Sequence, residues 1–216
     1  MQSLKRIWPL NPSSPANTVI VLDFETTGLS PNQGDRAIEI GAVLLENGQA
    51  TQRFQELMNP GFRVNSFIEN YTGISNTMLR DAPPCEEVME RFYQFVGSHN
   101  LVAHNASFDQ RFLEAEFAQI GRRLQGQFAC SMLLSRRLFP DAPNHKLGSL
   151  VAYNDIENDG VFHRALADSE MTAKLWNCLL EQLANQYHLD QPSFSLMQQI
   201  SSKSKANVAS FLRKIA

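Results

Sequence analysis

The chain has 216 residues, 43% of them hydrophobic, and a formal net charge of −3. That length buries one α/β core with short extensions and excludes two full domains. The acidic balance excludes a basic footprint that grips long stretches of duplex, and leaves room for local contact where divalent cations reverse the field at carboxylates.

Residues 1–17, rich in Pro, Ser and Asn, read as a flexible or loosely docked N-terminal arm. Lys5 and Arg6 precede an apolar stretch broken at Pro9, so no signal-peptide core is expected. Val19-Ile20-Val21-Leu22 is apolar throughout, as expected of a central strand buried on both faces, and it ends in acids. Residues 37–45 and 49–57 are further extended runs joined through Asn47-Gly48, a strong hairpin signal. After Pro83-Pro84, the residues Val88, Phe92, Phe95 and Val96 follow helical spacing up to Gly97. Leu101-Val102-Ala103 reads as a short buried strand, residues 107–120 as a helix stopped by Gly121, and residues 128–130 as a last strand. Helices are expected around 132–138 and 146–153, and a long one from Ala165 to Tyr187. Strands first, then alternation with helices, predict an α/β fold with a mixed sheet flanked by helices. Residues 189–216 read as a separate C-terminal linker and short amphipathic helix carrying Val208, Phe211, Leu212 and Ile215. The three cysteines are scattered without a CxxC pair, which argues against a disulfide framework or structural zinc and predicts a cytoplasmic protein; no run is long enough to span a bilayer.

Asp23 and Glu25 close the first strand two residues apart, so strand alternation places both carboxylates on one face. Like charges that close together need a compensating group, and hard divalent ions such as Mg²⁺ or Mn²⁺ take oxygen ligands. Asp109 falls in the first turn of the helix that Ser107 is expected to cap; an acid there also has the plain role of stabilising the helix dipole. His163 and Asp168 are five residues apart, roughly 140° on a helix, so His163 is expected on the loop entering the long helix with Asp168 one turn inside. A histidine there can take a proton near neutral pH, although an isolated one is more often an ordinary surface residue.

Three segments together, Val21-Leu22-Asp23-Phe24-Glu25-Thr26-Thr27-Gly28-Leu29, His104 to Asp109 and His163 to Asp168, resemble the DEDDh family of 3′→5′ exonucleases, and within it the epsilon proofreading subunits of bacterial replicative polymerases. The resemblance runs from Thr18 to Leu180, and residues 18–188 are expected to form the exonuclease domain. It implies a ribonuclease-H-like fold with a five-stranded mixed sheet. It implies two Mg²⁺ or Mn²⁺ ions held by Asp23, Glu25, Asp109 and Asp168, with Asp23 touching both. It also implies His163 as general base and release of 5′-mononucleotides. For the terminal nucleotide, the loop Thr26-Thr27-Gly28-Leu29 is expected to offer backbone N–H groups, and Leu29 or Phe108 to wedge beside the last base. Asn105 and Thr72 complete the expected contacts; Tyr71-Thr72-Gly73-Ile74-Ser75 resembles the family's HGI segment, with Thr72 in place of the usual histidine.

Partners follow from the same resemblance. DNA 3′ ends are favoured over RNA ends or short oligonucleotides, and an inert module that holds a nucleic-acid end or a protein is the third reading, disfavoured because all five reacting residues are retained and such a module would have no need of His163. A polymerase is an expected partner. Gln191-Pro192-Ser193-Phe194-Ser195-Leu196 loosely resembles a sliding-clamp peptide, with Phe194 as a departure from its pattern.

Overall fold

The computed structural model describes residues 14–157 and 164–215. Strand β1 (Val19–Thr26) lies at the centre of the sheet and is buried along almost its whole length. It pairs antiparallel with β2 (Ala37–Glu46), which pairs antiparallel with β3 (Gln49–Leu57). The hairpin between them turns through Asn47 and Gly48, both at positive φ, as the Asn-Gly pair requires. Helices α1 (Ser66–Thr72), α2 (Asn76–Asp81) and α3 (Cys85–Val96) follow. Then come β4 (Leu101–Ala103), α4 (Ser107–Gln119), β5 (Phe128–Cys130), α5 (Ser131–Leu138) and α6 (Leu147–Tyr153). The chain ends with α7 (Ala165–Tyr187), α8 (Phe194–Ser202) and α9 (Lys205–Leu212).

β4 and β5 add in parallel on the other side of β1, giving the order β3-β2-β1-β4-β5. This is the expected mixed five-stranded sheet flanked by helices. One face packs on α3 and α4 through Ile20, Leu22, Phe92, Phe112 and Phe117. The other packs on α5 and α7 through Val19, Val21, Leu134, Trp176 and Leu179. Two faces buried at once explain why the first strand has no polar alternation before Asp23.

Three expectations need correction. The end of the N-terminal arm is not loose: Pro15 bridges Ser193, Ala16 is buried, and its carbonyl accepts from Trp176 Nε1 at 2.8 Å. Residues 189–215 are not a separate appendage either. Phe194, Met197, Ile200, Val208 and Leu212 join the same core as α7, because the apolar face of α8 continues the surface that α5 and α7 leave open. Ser193, read as linker, is the N-cap of α8, its hydroxyl accepting from Leu196 N at 3.2 Å. Third, Ser107 does not cap α4; the N-cap is Ala106, without a side-chain cap, and Asn105 before it adopts a left-handed φ of 71°. Among the described residues no helix is long and apolar enough to cross a membrane.

Candidate active site

The site forms where three elements meet. Strand alternation turns Asp23 and Glu25 to one side at the C-terminal end of β1. Helix α4 brings Asp109 from its first turn, and α7 brings Asp168 from its own first turn. One carboxylate oxygen from each of Asp23, Glu25 and Asp168 lies within 4.8 Å of the others. Asp109 sits buried against the strand, with Oδ1 accepting from Phe24 N at 3.3 Å. The structure therefore brings all four predicted acids together.

Their electrostatics show the cost of that convergence. Burial, then the charges of Asp109, Asp168 and Glu25, hold the Asp23 carboxyl well above the usual carboxylate range. Glu25 is pushed up to about 8, first by burial and then by Asp168 and Glu39, with Arg164 opposing. Asp109 is pushed up to about 8 by burial, against the pull of two backbone N–H donors. Arg164 relieves Glu25 only in part, since its guanidinium is hydrogen-bonded to another carboxylate. Arg36 is bound to Glu116 and Glu86, and Arg164 to Glu39. An all-oxygen donor set with unresolved mutual repulsion fits hard divalent cations such as Mg²⁺ or Mn²⁺, whose binding would convert the repulsion into coordination.

A second layer fixes the start of α7. Glu39 is fully buried in β2, opposite Glu25 in the strand register, and accepts from Arg164 Nε and Nη2, Ala165 N and Gln55 Nε2 at 2.9–3.1 Å. Ser169 Oγ donates to Gly41 O at 2.9 Å. Gly41 admits this approach, since a Cβ there would collide with the backbone of Ala165 and Leu166. Sequence reasoning missed Glu39 and Arg164. A glutamate inside an otherwise apolar strand was the available signal.

The loop after β1 is held by Asp35, whose carboxylate accepts from Thr27 Oγ1 at 3.2 Å and Ser30 N at 2.9 Å. Gly28 lies so close to Asp35 that a side chain would clash. Thr26 Oγ1 donates to Gly28 O, and Thr27 N donates to Arg36 O. The Thr27 N–H is therefore committed within the protein, which removes it from the expected loop donors. Leu29 projects from the tip, 73% exposed. Phe108 is half-buried against Phe112, with ring centroids 5.0 Å apart, and Asn105 is exposed beside it. Thr72 does not offer its hydroxyl to a ligand: it is buried, donates to Ile68 O at 2.8 Å and accepts from Ile74 N at 3.1 Å. Its neighbour Tyr71, half-exposed, lies in the field of the acids. Burial, then Glu25, Asp168 and Asp23, raise its phenol pKa. His163 lies outside the described residues.

Comparison with known proteins agrees with this geometry. The family model for exonucleases (RNase_T) matches residues 20–176. The 3′-5′ exonuclease DinG of Bacillus subtilis (strain 168) is 40% identical over 168 residues, 76% of this chain and 18% of that protein. DNA polymerase III subunit epsilon of Aquifex aeolicus (strain VF5) is 33% identical over 171 residues, covering 79% of this chain and 84% of that subunit. The chain spans only 11–18% of the length of its PolC-type and DinG relatives. A solved structure of exonuclease X in complex with 5′ overhanging duplex DNA superposes with a TM-score of 0.67 at 28% identity, covering 85% of this chain and 99% of that one. Three acid-bearing elements converging on the end of a central strand, and a family match spanning most of the sheet and helices, lead to one conclusion: the chain belongs to the exonuclease family.

Proposed function

We propose that the protein is a 3′→5′ exonuclease that hydrolyses the terminal phosphodiester of DNA with two divalent cations and releases 5′-mononucleotides. The observation that carries this is the convergence of Asp23, Glu25 and Asp168 within 4.8 Å, with Asp109 buried beside them. Four acids around one space hold cations and, through them, a phosphate. When bound, such cations lower the pKa of the attacking water and offset charge on the leaving oxygen. The chain's own part is positional. Asp23 and Glu25 are held rigid by the central strand, and Glu39 and Arg164 hold the helix start that presents Asp168. His163, one residue before Arg164, is the proposed general base, and replacing it by Ala slows turnover by roughly 10²–10⁴-fold. The N–H groups of Gly28 and Leu29 are the proposed contacts to the terminal 3′-hydroxyl, with Leu29 wedged beside the last base.

DNA is favoured because exonuclease X was solved with DNA and the Aquifex relative is a DNA polymerase subunit. That subunit also motivates a proofreading role beside a polymerase. Phe194 of the clamp-like peptide is buried near Trp176, ring centroids 6.4 Å apart, so its side chain is accessible only if α8 leaves the core.

The test is a 5′-labelled single-stranded DNA, a duplex with a mismatched 3′ end, and RNA, each incubated with Mg²⁺, Mn²⁺ or EDTA. A ladder that shortens from the 3′ end with metal, vanishes in EDTA and is faster on DNA than on RNA supports the proposal. A metal-independent ladder, or none on any substrate, contradicts it.

A further inference from the structure

A second buried carboxylate on α4 holds the far side of the loop after β1. Glu116, buried, accepts from Arg36 Nε at 2.9 Å and Nη2 at 2.8 Å, and from Ala37 N at 3.1 Å. The sheet shows why a side chain is needed there. Regular pairing of β1 with β2 runs to Glu25 opposite Glu39 and then slips, so that Thr26 faces Ala37 and Ile38 is passed over. Such a bulge re-aims the chain just beyond the two acids, where the ladder alone no longer fixes the path of the loop.

Arg36 passes the anchorage on. Its N–H donates to Thr27 Oγ1 at 3.0 Å, and its carbonyl accepts from Thr27 N at 2.9 Å. The loop's 3-10 turn, Pro31–Gln33, packs on α4 as well. On that helix Asp109 and Glu116 stand seven residues apart, two turns to within about 20°, so one face carries both. Phe112, Leu113 and Phe117 seat the helix in the core. A single rigid element thus presents one acid of the cluster and, two turns on, the anchor of the loop. Glu86 holds the same guanidinium at 3.0 Å but is exposed, where an ion pair is worth little. Breaking the buried pair instead leaves a carboxylate without its counter-charge.

We propose that Arg36 and Glu116 are positioning residues: through α4 they fix the span between Asp109 and the loop Thr27-Gly28-Leu29, and so align the terminal 3′-hydroxyl with the scissile phosphate. This rests on the exonuclease reading and adds the residues that set its recognition of the end. An ion pair that serves stability alone is the competing account. The two bonds from the Arg36 backbone to Thr27, at the foot of the loop tip, favour positioning.

The experiment compares Glu116→Gln, Arg36→Lys and Glu86→Gln with the unaltered chain on one single-stranded oligonucleotide ending in a 3′-hydroxyl or in a 3′-dideoxy nucleotide, with Mg²⁺ or Mn²⁺. Arg36→Lys keeps the charge and loses the fork that the carboxylate grips. The ratio of kcat/KM on the hydroxyl end to that on the dideoxy end should fall about 2- to 12-fold in Glu116→Gln and Arg36→Lys, the worth of one misaligned hydrogen bond. It should hold in Glu86→Gln. The metal concentration for half-maximal rate should stay unchanged in all three, because the core seats α4. In the metal-free protein, the Thr27 amide should exchange with solvent faster in Glu116→Gln and Arg36→Lys only. A ratio unmoved in both of these variants, whatever their loss of stability, overturns the proposal, as does a fall matched by Glu86→Gln or accompanied by a shifted metal dependence. Equal cleavage of both ends by the unaltered chain overturns the proposal and leaves the exonuclease reading intact. Absence of cleavage of either end by the unaltered chain overturns both.

Discussion

Asp23 is the side chain on which the site's electrostatics converge, since burial and four other acids act on it at once. A residue kept in such a place destabilises the metal-free protein, a cost that metal binding relieves. Asp23→Asn should therefore abolish cleavage while raising the stability of the metal-free chain at pH 8 by about 0.5–2 kcal/mol. Chemical denaturation in EDTA checks the second half; unchanged or lowered stability would mean that the acids repel one another little. His104 gives a residue-scale test of opposite kind. Burial pushes its pKa down to about 4, and its ring nitrogens meet Ser131 Oγ at 2.9 Å and His145 O at 3.0 Å. Below the unfolded value near 6.5 the unfolded chain binds the extra proton first, so this contribution to stability is full above pH 6.5 and lost as pH falls towards 4. Denaturation of the unaltered chain and of His104→Gln across pH 4–7.5 should show their stability difference growing from pH 4 to 6.5 and levelling above. A difference independent of pH would refute neutral burial of His104.

At the scale of elements, the contact between β2 and the start of α7 sets where Asp168 sits. Glu39 accepts from the backbone and side chain at that start, and Gly41 lets the two approach. Glu39→Gln should weaken this clamp by about 1–3 kcal/mol. It should lower kcat and raise the metal concentration needed for half-maximal rate, with KM for DNA little changed. Loss of stability without any shift in metal dependence would limit Glu39 to a structural role. The same elements show what was legible beforehand. Asp23 and Glu25 were readable because strand alternation alone puts them together, and the long helix expected from Ala165 to Tyr187 is α7. Asp109 and Asp168 were not placed by local spacing; the three motifs in order located them. Helices α1 and α2, seven and six residues long, carry too few turns for a period to show. No helix is therefore expected there from the sequence, and Tyr71 and Thr72 enter only through the resemblance to the HGI segment. The N-cap residues Asn65 and Ser75 were the missed signals.

Across the whole molecule, residues 14–16 and the segment from Pro192 onward close one side of the fold. Phe194 N donates to Ser14 O at 2.8 Å and Ala16 N to Pro192 O at 3.0 Å, while α8 and α9 cover the core between α5 and α7. Reading Gln191-Pro192-Ser193 as a linker misjudged this, because breaker residues also stand before a capped helix; the spacing of Phe194, Met197 and Ile200 carried the opposite message. Phe194→Ala should cost about 3–5 kcal/mol, as for other buried aromatic residues, and unfold the remote α7 side of the core together with the tail. A change below about 1 kcal/mol would show the tail to be an independent appendage after all.

The central claim is that Asp23, Glu25, Asp109 and Asp168 hold two divalent ions at the end of the central strand. Anomalous diffraction from crystals grown with Mn²⁺ and a nucleoside 5′-monophosphate tests it most directly. Two Mn²⁺ peaks bridged by Asp23, with the phosphate oxygens between them, are the expected result. Full occupancy of the nucleotide with no anomalous peak among these four carboxylates would contradict it.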